Sequence, residues 1–340
     1  MLAYSIYQQM NLSFSIIIPV YNRPKEIDEL LNSLLFQEYK KAFEIVIVED
    51  GSTETCKEIV SVYQEKLNIH YIFQENTGPG LARNNGMKQA KGNYFILLDS
   101  DVILPKNYLM IVSTALDNNF TETFAAPDKS HHSFTEIQKA INYSMTSVLT
   151  TGGLRNNKGN QAFQLRSFNM GLSKKAFELS RGFSKQNYGE DIDLSFRIDQ
   201  LNLSKQFISK AFVYHKRRTN WFQFYKQTQN FGSARPILNK IHKNTAKITY
   251  WFPSLFILGL FLSIGLLLFG KPLLYIVYTL YFLLVFMHAL YLNKEVKVAL
   301  FSVQAAFIQF LGYGTGFLKS VFKLNVLRRT KEEAFPKMFS

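Results

Sequence analysis

Tyr94-Phe95-Ile96-Leu97-Leu98-Asp99-Ser100-Asp101 constrains this chain more than any other stretch. Five consecutive apolar residues, too few to cross a membrane, end in two carboxylates one residue apart. A short apolar run with Tyr, Phe and Ile reads as a strand buried on both faces. In open α/β sheets the carboxyl ends of such strands face the crevice that holds ligands. Asp99 and Asp101 at that rim suit a hard divalent cation, because Mg²⁺ keeps several waters and needs only one or two carboxylates plus phosphate oxygens. An isolated Asp-x-Asp is more often a solvated acidic turn, so the remainder of the chain must choose between the two.

The preceding segments alternate between strand and helix. Residues 1–13 read as a loose lead-in. Ser15-Ile16-Ile17-Ile18-Pro19-Val20-Tyr21-Asn22-Arg23-Pro24 is a β-branched strand stopped by proline, and from Pro24 the residues Ile27, Leu30, Leu31, Leu34 and Leu35 recur at helical spacing. Residues 43–48 form a second buried strand ending in Glu49-Asp50-Gly51-Ser52. A helix through Tyr63, a strand over 69–73, and a turn at Asn76-Thr77-Gly78-Pro79-Gly80 feeding another helix complete βαβ units and a largely parallel sheet. From about 105 to 160 the period weakens, and 151–160 reads as a mobile loop, over a pocket or simply on the surface. Residues 165–172 are expected to return as a strand, 194–201 as a helix behind Gly189-Glu190-Asp191, and 209–215 as a last strand.

After Tyr250 the chain changes character. Residues 251–269 carry no charge and 272–292 are nearly as apolar, each close to the roughly 20 residues that cross a bilayer. The link Gly270-Lys271-Pro272 makes them a hairpin. Residues 296–318 are a weaker third candidate, interrupted by Gln304, Gln309 and glycines 312, 314 and 316. Lys240, His242, Lys243 and Lys247 before the first span place that side in the cytoplasm. Three full crossings would leave Lys323, Arg328, Arg329 and Lys331 outside, so a re-entrant or interfacial third segment fits the charges better. There are 39 Lys and Arg against 25 Asp and Glu, a formal charge of +14, and much of the surplus lies between Lys205 and Lys247. That placement indicates a lipid bilayer rather than nucleic acid. Cys56 is the single cysteine, which rules out a disulfide framework within the chain, and no signal peptide is expected at the N-terminus.

Five blocks in order resemble the family 2 glycosyltransferases: Ile17 to Asn22, Val46 to Ser52, Asn76 to Asn84, Leu98 to Asp101, and Gly189-Glu190-Asp191-Ile192-Asp193-Leu194-Ser195-Phe196-Arg197. The resemblance covers about 13–235. It implies a GT-A fold, an α/β class with a Rossmann-like, mostly parallel sheet and flanking helices, here followed by C-terminal transmembrane helices. It also implies inverting transfer from a nucleotide-sugar. Pro19, Val20, Tyr21, Asn22, Glu49, Asp50, Arg83 and Ser100 would line the nucleotide-sugar. Asp50 would take the N–H of a uracil-like base, although Gly51-Ser52 also allows it to be a helix N-cap. Arg83 would face the diphosphate. Asp99 and Asp101, with His215 as third ligand, would hold Mn²⁺ or Mg²⁺; His215 also reads as an ordinary interfacial histidine. Asp191 is the expected catalytic base with Glu190 beside it, and both also read as an acidic N-terminal cap. Asn169, Arg217 and Arg218 are candidates for the acceptor side. Glu49 stands where many relatives have Asp, and the Gln-x-x-Arg-Trp motif of processive synthases is missing, which favours transfer of a single sugar.

These readings divide the chain into a lead-in (1–13), a GT-A domain (14–235), a basic juxtamembrane linker (236–250), a membrane region (251–320) and a basic tail (321–340). The implied partners are a UDP-sugar donor, a lipid-linked or glycan acceptor and the bilayer, with no nucleic acid. The expected product belongs to cell-surface polysaccharide or glycolipid synthesis in the cytoplasmic membrane. Two rivals stand beside this expectation: a polyprenyl-phosphate glycosyltransferase, whose acceptor needs little base assistance, and a catalytically silent membrane-bound nucleotide-sugar-binding protein. A dinucleotide oxidoreductase is disfavoured because no G-x-G-x-x-G follows the first strand.

Overall fold

A computed structural model describes residues 12–152 and 163–339. Most of the lead-in and of the 151–160 loop therefore lies outside the described residues. The chain forms two compact units: one comprises the residues up to Lys129 together with 157–215, the other Ser130–Asn156 with Lys216–Phe339.

The first unit begins with β1 (Phe14–Val20), α1 (Pro24–Leu35), β2 (Phe43–Asp50), α2 (Lys57–Gln64), β3 (Ile69–Gln74), α3 (Pro79–Gln89) and β4 (Tyr94–Leu98). It continues through β5 (Val102–Ile103), α4 (Tyr108–Asn118), β6 (Thr123–Ala125) and β7 (Asp128–Lys129). The chain then contributes α5 (Glu136–Thr146) and α6 (Val148–Thr151) to the second unit. It returns to the first as β8 (Asn169–Ser173), α7 (Lys174–Ser180), α8 (Glu190–Gln200), β9 (Lys205–Phe207) and β10 (Val213–His215).

Seven strands form one sheet in the order β3-β2-β1-β4-β8-β6-β9, with β8 antiparallel to both neighbours. The apolar runs in β1, β2 and β4 are continuous because both sheet faces are covered. Ile16 and Ile18 of β1 with Ile45 and Ile47 of β2 pack toward α1, α2 and α4. Ile17, Val46 and Val48 pack toward α3, α7 and α8. α3 lies close: a Cβ on Gly86 would stand 2.7 Å from Ile17 Cγ2, so only glycine lets this helix settle onto β1 and β2. A second, three-stranded sheet runs β5-β10-β7.

Two expected strands are shorter than their patterns. The strand read over 165–172 starts only at Asn169, and the one over 209–215 only at Val213. β8 runs between β4 and β6, and β10 between β5 and β7, so these short partners rather than propensity fix where each strand begins.

The second unit is helical. α5 opens with a capping box in which Thr135 and Gln138 satisfy each other's backbone N–H groups. The later helices are α9 (Trp221–Ile241), a 3₁₀ turn (Ile248–Trp251), α10 (Phe252–Leu268), α11 (Leu273–Asn293) and α12 (Val296–Val321); a π-turn (Phe322–Val326) and the one-turn α13 (Lys331–Ala334) and α14 (Pro336–Phe339) end it. Three segments are long and apolar enough to cross a membrane: Ile248–Leu268, Leu273–Asn293 and Val296–Val326. The third runs as one helix from Val296 to Val321, without a break at its glycines. Its glycines serve packing: a Cβ on Gly312 would stand 2.0 Å from Thr228 Oγ1 of α9, one on Gly316 2.0 Å from the Gln229 carbonyl oxygen, and one on Gly314 3.1 Å from the backbone of Pro253. Residues 130–156 group with these helices rather than with the sheet, a partition that composition does not register.

Candidate active site

β1 lies between β2 and β4, so successive crossovers leave it in opposite directions and open a crevice at the strand ends. Asn22 sits just past β1 with φ 52°, a left-handed conformation asparagine tolerates. Its Oδ1 accepts from the backbone N–H groups of Thr53 (2.8 Å) and Glu54 (3.0 Å), and its own N–H donates to Ser52 Oγ (2.8 Å). The first two strand-end loops are thereby tied together, and Tyr21 is left half exposed beside them.

Side-chain alternation along β2 separates Glu49 from Asp50. The Glu49 carboxylate is fully buried and accepts from Ser52 Oγ, from the Cys56 N–H (2.8 Å) and thiol (2.9 Å), and from Tyr71 Oη (3.2 Å). Burial and this carboxylate together push the Cys56 thiol far above its usual range. Glu49, expected to line the nucleotide, thus braces the β2–α2 turn instead. Asp50, on the other face, accepts from Gln74 Nε2 (2.7 Å) and from the N–H groups of Thr77 (2.9 Å) and Gly78 (2.9 Å). It fixes the turn that launches α3.

α3 carries Arg83, whose side chain is 3 % exposed. Its Nη2 donates to Asp99 Oδ1 at 2.5 Å, its Nη1 reaches Glu190 Oε1 at 3.4 Å, and its guanidinium stands 5.4 Å from the Phe183 ring centre. Asn84 holds the neighbouring loop through paired bonds of 2.8 Å to the Phe183 carbonyl and N–H.

Asp99, Ser100 and Asp101 follow β4 directly, with Ser100 buried. His215 reaches them because β10 pairs antiparallel with β5 in the register His215 to Val102, one residue past Asp101. Its Nε2 lies 3.1 Å from Asp101 Oδ1, and Nδ1 is 4.0 Å from Asp128 Oδ2, while Phe168 packs 4.9 Å from the ring. One ligand atom each from Asp99, Asp101 and His215 lie within 4.8 Å of one another. Two carboxylates and an imidazole form an O,O,N set that fits Mn²⁺ or Mg²⁺.

At the start of α8, Gly189 adopts φ 78°, a turn that a side chain would strain. It places Glu190 and Asp191 in the first helical turn, where the dipole favours negative charge. Glu190 is buried; burial pushes its carboxyl up to about 8, the adjacent Asp191 charge adds to the rise, and Arg83 opposes it. Asp191 accepts from the Ile192 N–H (2.8 Å) and lies 3.7 Å from Arg166 Nη1. Asp193 pairs with Arg197 Nη2 at 2.8 Å, and Arg197 also donates to the Ser180 carbonyl, so this carboxylate anchors α8 to the end of α7.

Asn169, expected on the acceptor side, is not brought to this cluster. Asn169 has no exposed surface: its Oδ1 accepts from Tyr108 Oη (2.7 Å), and its Nδ2 donates to the carbonyls of Pro127 (3.0 Å) and Ala211 (2.9 Å). With its amide so engaged inside the sheet, Asn169 is a core fastener. Arg217 and Arg218 belong to the second unit, where Arg217 lies 3.4 Å from Asn142 Oδ1. The sequence reading overlooked Arg23, whose Nη1 lies 2.8 Å from Asp101 Oδ2, together with Asp128 and Arg166. Arg23 stood one residue past the first block; the other two carried no local signal.

Residues 15–179 match the model of Glycosyl transferase family 2. The chain carries a family 2 glycosyltransferase domain. Over 114 residues it is 40 % identical to the poly(ribitol-phosphate) beta-N-acetylglucosaminyltransferase TarS of Staphylococcus aureus, an alignment covering 33 % of this chain and 20 % of TarS. Over 104 residues it is 36 % identical to the validoxylamine A glucosyltransferase of Streptomyces hygroscopicus, covering 30 % and 25 %. The chain therefore spans only a quarter or less of these relatives. Among solved structures, the mannosyltransferase PcManGT of Pyrobaculum calidifontis, in complex with GDP-Man and Mn²⁺, superposes with a TM-score of 0.58 at 15 % identity, over 91 % of this chain and 87 % of that one. Staphylococcus aureus TarS 1–349 with UDP-GlcNAc gives 0.50 at 20 % identity, covering 91 % of each. At such identities the shared property is the fold, which is of GT-A type; in this chain it is followed by C-terminal helices long enough to span a membrane.

Proposed function

We propose that this chain is a membrane-anchored, inverting glycosyltransferase that moves one sugar from a nucleotide-sugar to a hydroxyl of a membrane-associated acceptor. The observation that carries this reading is the linked row of ionisable groups Asp101, Asp99, Arg83 and Glu190, ending beside Asp191 at the strand-end crevice. Asp99, Asp101 and His215 would hold a divalent cation. Once bound, the cation supplies positive charge against the diphosphate leaving group. The UDP-GlcNAc and GDP-Man carried by the two fold relatives support a nucleotide-sugar donor. Pro19, Val20, Tyr21, Asn22, Asp50 and Ser100 would border the nucleotide, with Arg83 turned to its diphosphate.

In the transfer step the acceptor oxygen forms a bond to the anomeric carbon as the bond from that carbon to the diphosphate oxygen breaks. Asp191 takes the acceptor proton. Glu190, buried against Arg83, positions that guanidinium rather than acting as the base. Three apolar helices suit an acceptor that lives in the bilayer, and the lysines before the first of them suit a cytoplasmic catalytic unit.

The test is metal-dependent turnover of nucleotide-sugars by purified protein. Asp191→Asn should lower turnover by about 10²-fold or more while retaining donor binding, the size of a lost general base. Near-normal turnover in Asp191→Asn would instead favour a phosphate acceptor. Absence of turnover with every donor would favour a binding protein.

A further inference from the structure

The net charge of the chain is confined to one part of it. Residues 1–215 carry 22 basic and 22 acidic side chains, whereas residues 216–340 carry 17 Lys and Arg against three Glu. Most of these cations stand in loops or near helix ends. Arg235 lies in the middle of α9 and is only 9 % exposed. Its guanidinium carbon sits 4.4 Å over the Tyr250 ring, and its Nη1 is buried with no hydrogen-bond partner among the described residues.

The acids of this unit are engaged elsewhere: Glu136 with Lys297, Glu295 with Lys139, Glu332 with Lys331, and Glu333 in the cap at Thr330. A buried guanidinium without an anion is costly, and no carboxylate among the described residues reaches Arg235, so the site has room for an anion that those residues do not supply. Guanidinium also matches phosphate oxygens in pairs, which ammonium does not.

The surroundings identify the source of that phosphate. Tyr250 and Trp251 form the 3₁₀ turn at the start of the first apolar helix, where amphipathic aromatic rings mark the headgroup layer. Arg235 is stacked on Tyr250 and so lies at headgroup depth. One helical turn further, Asn239 presents a second buried polar atom, Oδ1, that also lacks a partner among the described residues. A donor for phosphate oxygens beside an acceptor for a hydroxyl matches the headgroup of an anionic glycerophospholipid.

We propose that Arg235, Tyr250 and Asn239 form a binding site for such a lipid, with the phosphate on Arg235. The inference rests on the membrane reading of the C-terminal helices and is independent of the sugar-transfer reading. The probe is phosphatidylglycerol titrated into the full-length protein in detergent micelles, with phosphatidylcholine as comparison. Trp251, made the sole tryptophan by Trp221→Phe, reports occupancy next to Tyr250. Saturable, phosphatidylglycerol-selective change in Trp251 emission is expected, and Arg235→Gln should weaken it roughly tenfold, the loss of one charge-assisted contact.

If Arg235→Gln does not fold, native mass spectrometry of the unaltered protein decides: selective retention of phosphatidylglycerol supports the site, and equal retention of both lipids overturns it. Inorganic phosphate should compete poorly. Full competition by phosphate without lipid selectivity would assign a free-anion site and sink the lipid assignment. Flotation with phosphatidylcholine vesicles separates the two readings: protein that fails to float refutes the membrane reading and the site together, and protein that floats without phosphatidylglycerol preference refutes the site alone.

Discussion

Arg83 and Glu190 show how one contact can bind two motifs more than a hundred residues apart. Arg83 lies between Asp99 and Glu190, and burial of Glu190 outweighs the nearby positive charge, leaving the carboxyl near 8 instead of its ordinary 4.5. The sign follows from proton counting. Between pH 4.5 and about 8 the folded protein holds a proton at Glu190 that the unfolded chain has lost, so stability falls as pH rises through that window. Glu190→Gln removes the titrating group. Thermal unfolding in detergent should therefore show the unaltered protein losing stability relative to Glu190→Gln from pH 5 to 8; parallel curves would show that Glu190 titrates normally. At this scale the motifs were legible as neighbours: Asp99, Asp101 and Arg83, picked from separate blocks, lie together at one strand end. The sequence did not show that Glu49 and Asn169 are bonded inside the protein, because which way a side chain faces depends on the strand's register against its neighbours. Nothing local distinguishes a carboxylate aimed at a ligand from one bonded to Cys56 and Tyr71.

Among the elements, β1, β2 and β4 were readable because burial on both faces leaves an uninterrupted apolar run. The 105–160 region was not, since α4 and α5 are short and draw their stability from packing against other parts of the chain. The glycines of α12 are a related case. They looked like interruptions of a membrane span, yet Gly312 and Gly316 are where α9 approaches most closely. Gly316→Leu would drive a side chain into the Gln229 backbone. It should destabilise the helical unit by about 1–3 kcal/mol, the usual cost of overpacking. Unfolding followed in detergent checks this, and an unchanged midpoint would mean that α9 and α12 are not packed this way.

The molecule as a whole joins a nearly charge-neutral sheet unit to a basic, apolar helical one. The presence of helices long enough to span a bilayer was evident from composition, and so was the GT-A class from five ordered blocks. The recruitment of residues 130–156 into the helical unit was not, because contacts between distant segments leave no periodic trace. Orientation has its own test. Cys56 is buried and its thiol is held far above its usual range, so the native chain offers a quiet background for thiol labelling. Gly270→Cys, between the first two apolar helices, should react with a membrane-impermeant maleimide added to intact cells, whereas Asn244→Cys should react only after lysis. The reverse pattern would invert the topology.

The central claim is that Asp99, Asp101 and His215 gather a divalent cation against a nucleoside diphosphate. Calorimetric titration of UDP into the full-length protein, with Mn²⁺ and again in a chelator, measures it directly. Binding that requires Mn²⁺ and is lost in Asp101→Asn, with the fold intact by circular dichroism, is the predicted result. Equal binding with and without the metal, or an Asp101→Asn variant that binds as the unaltered protein does, would contradict the account.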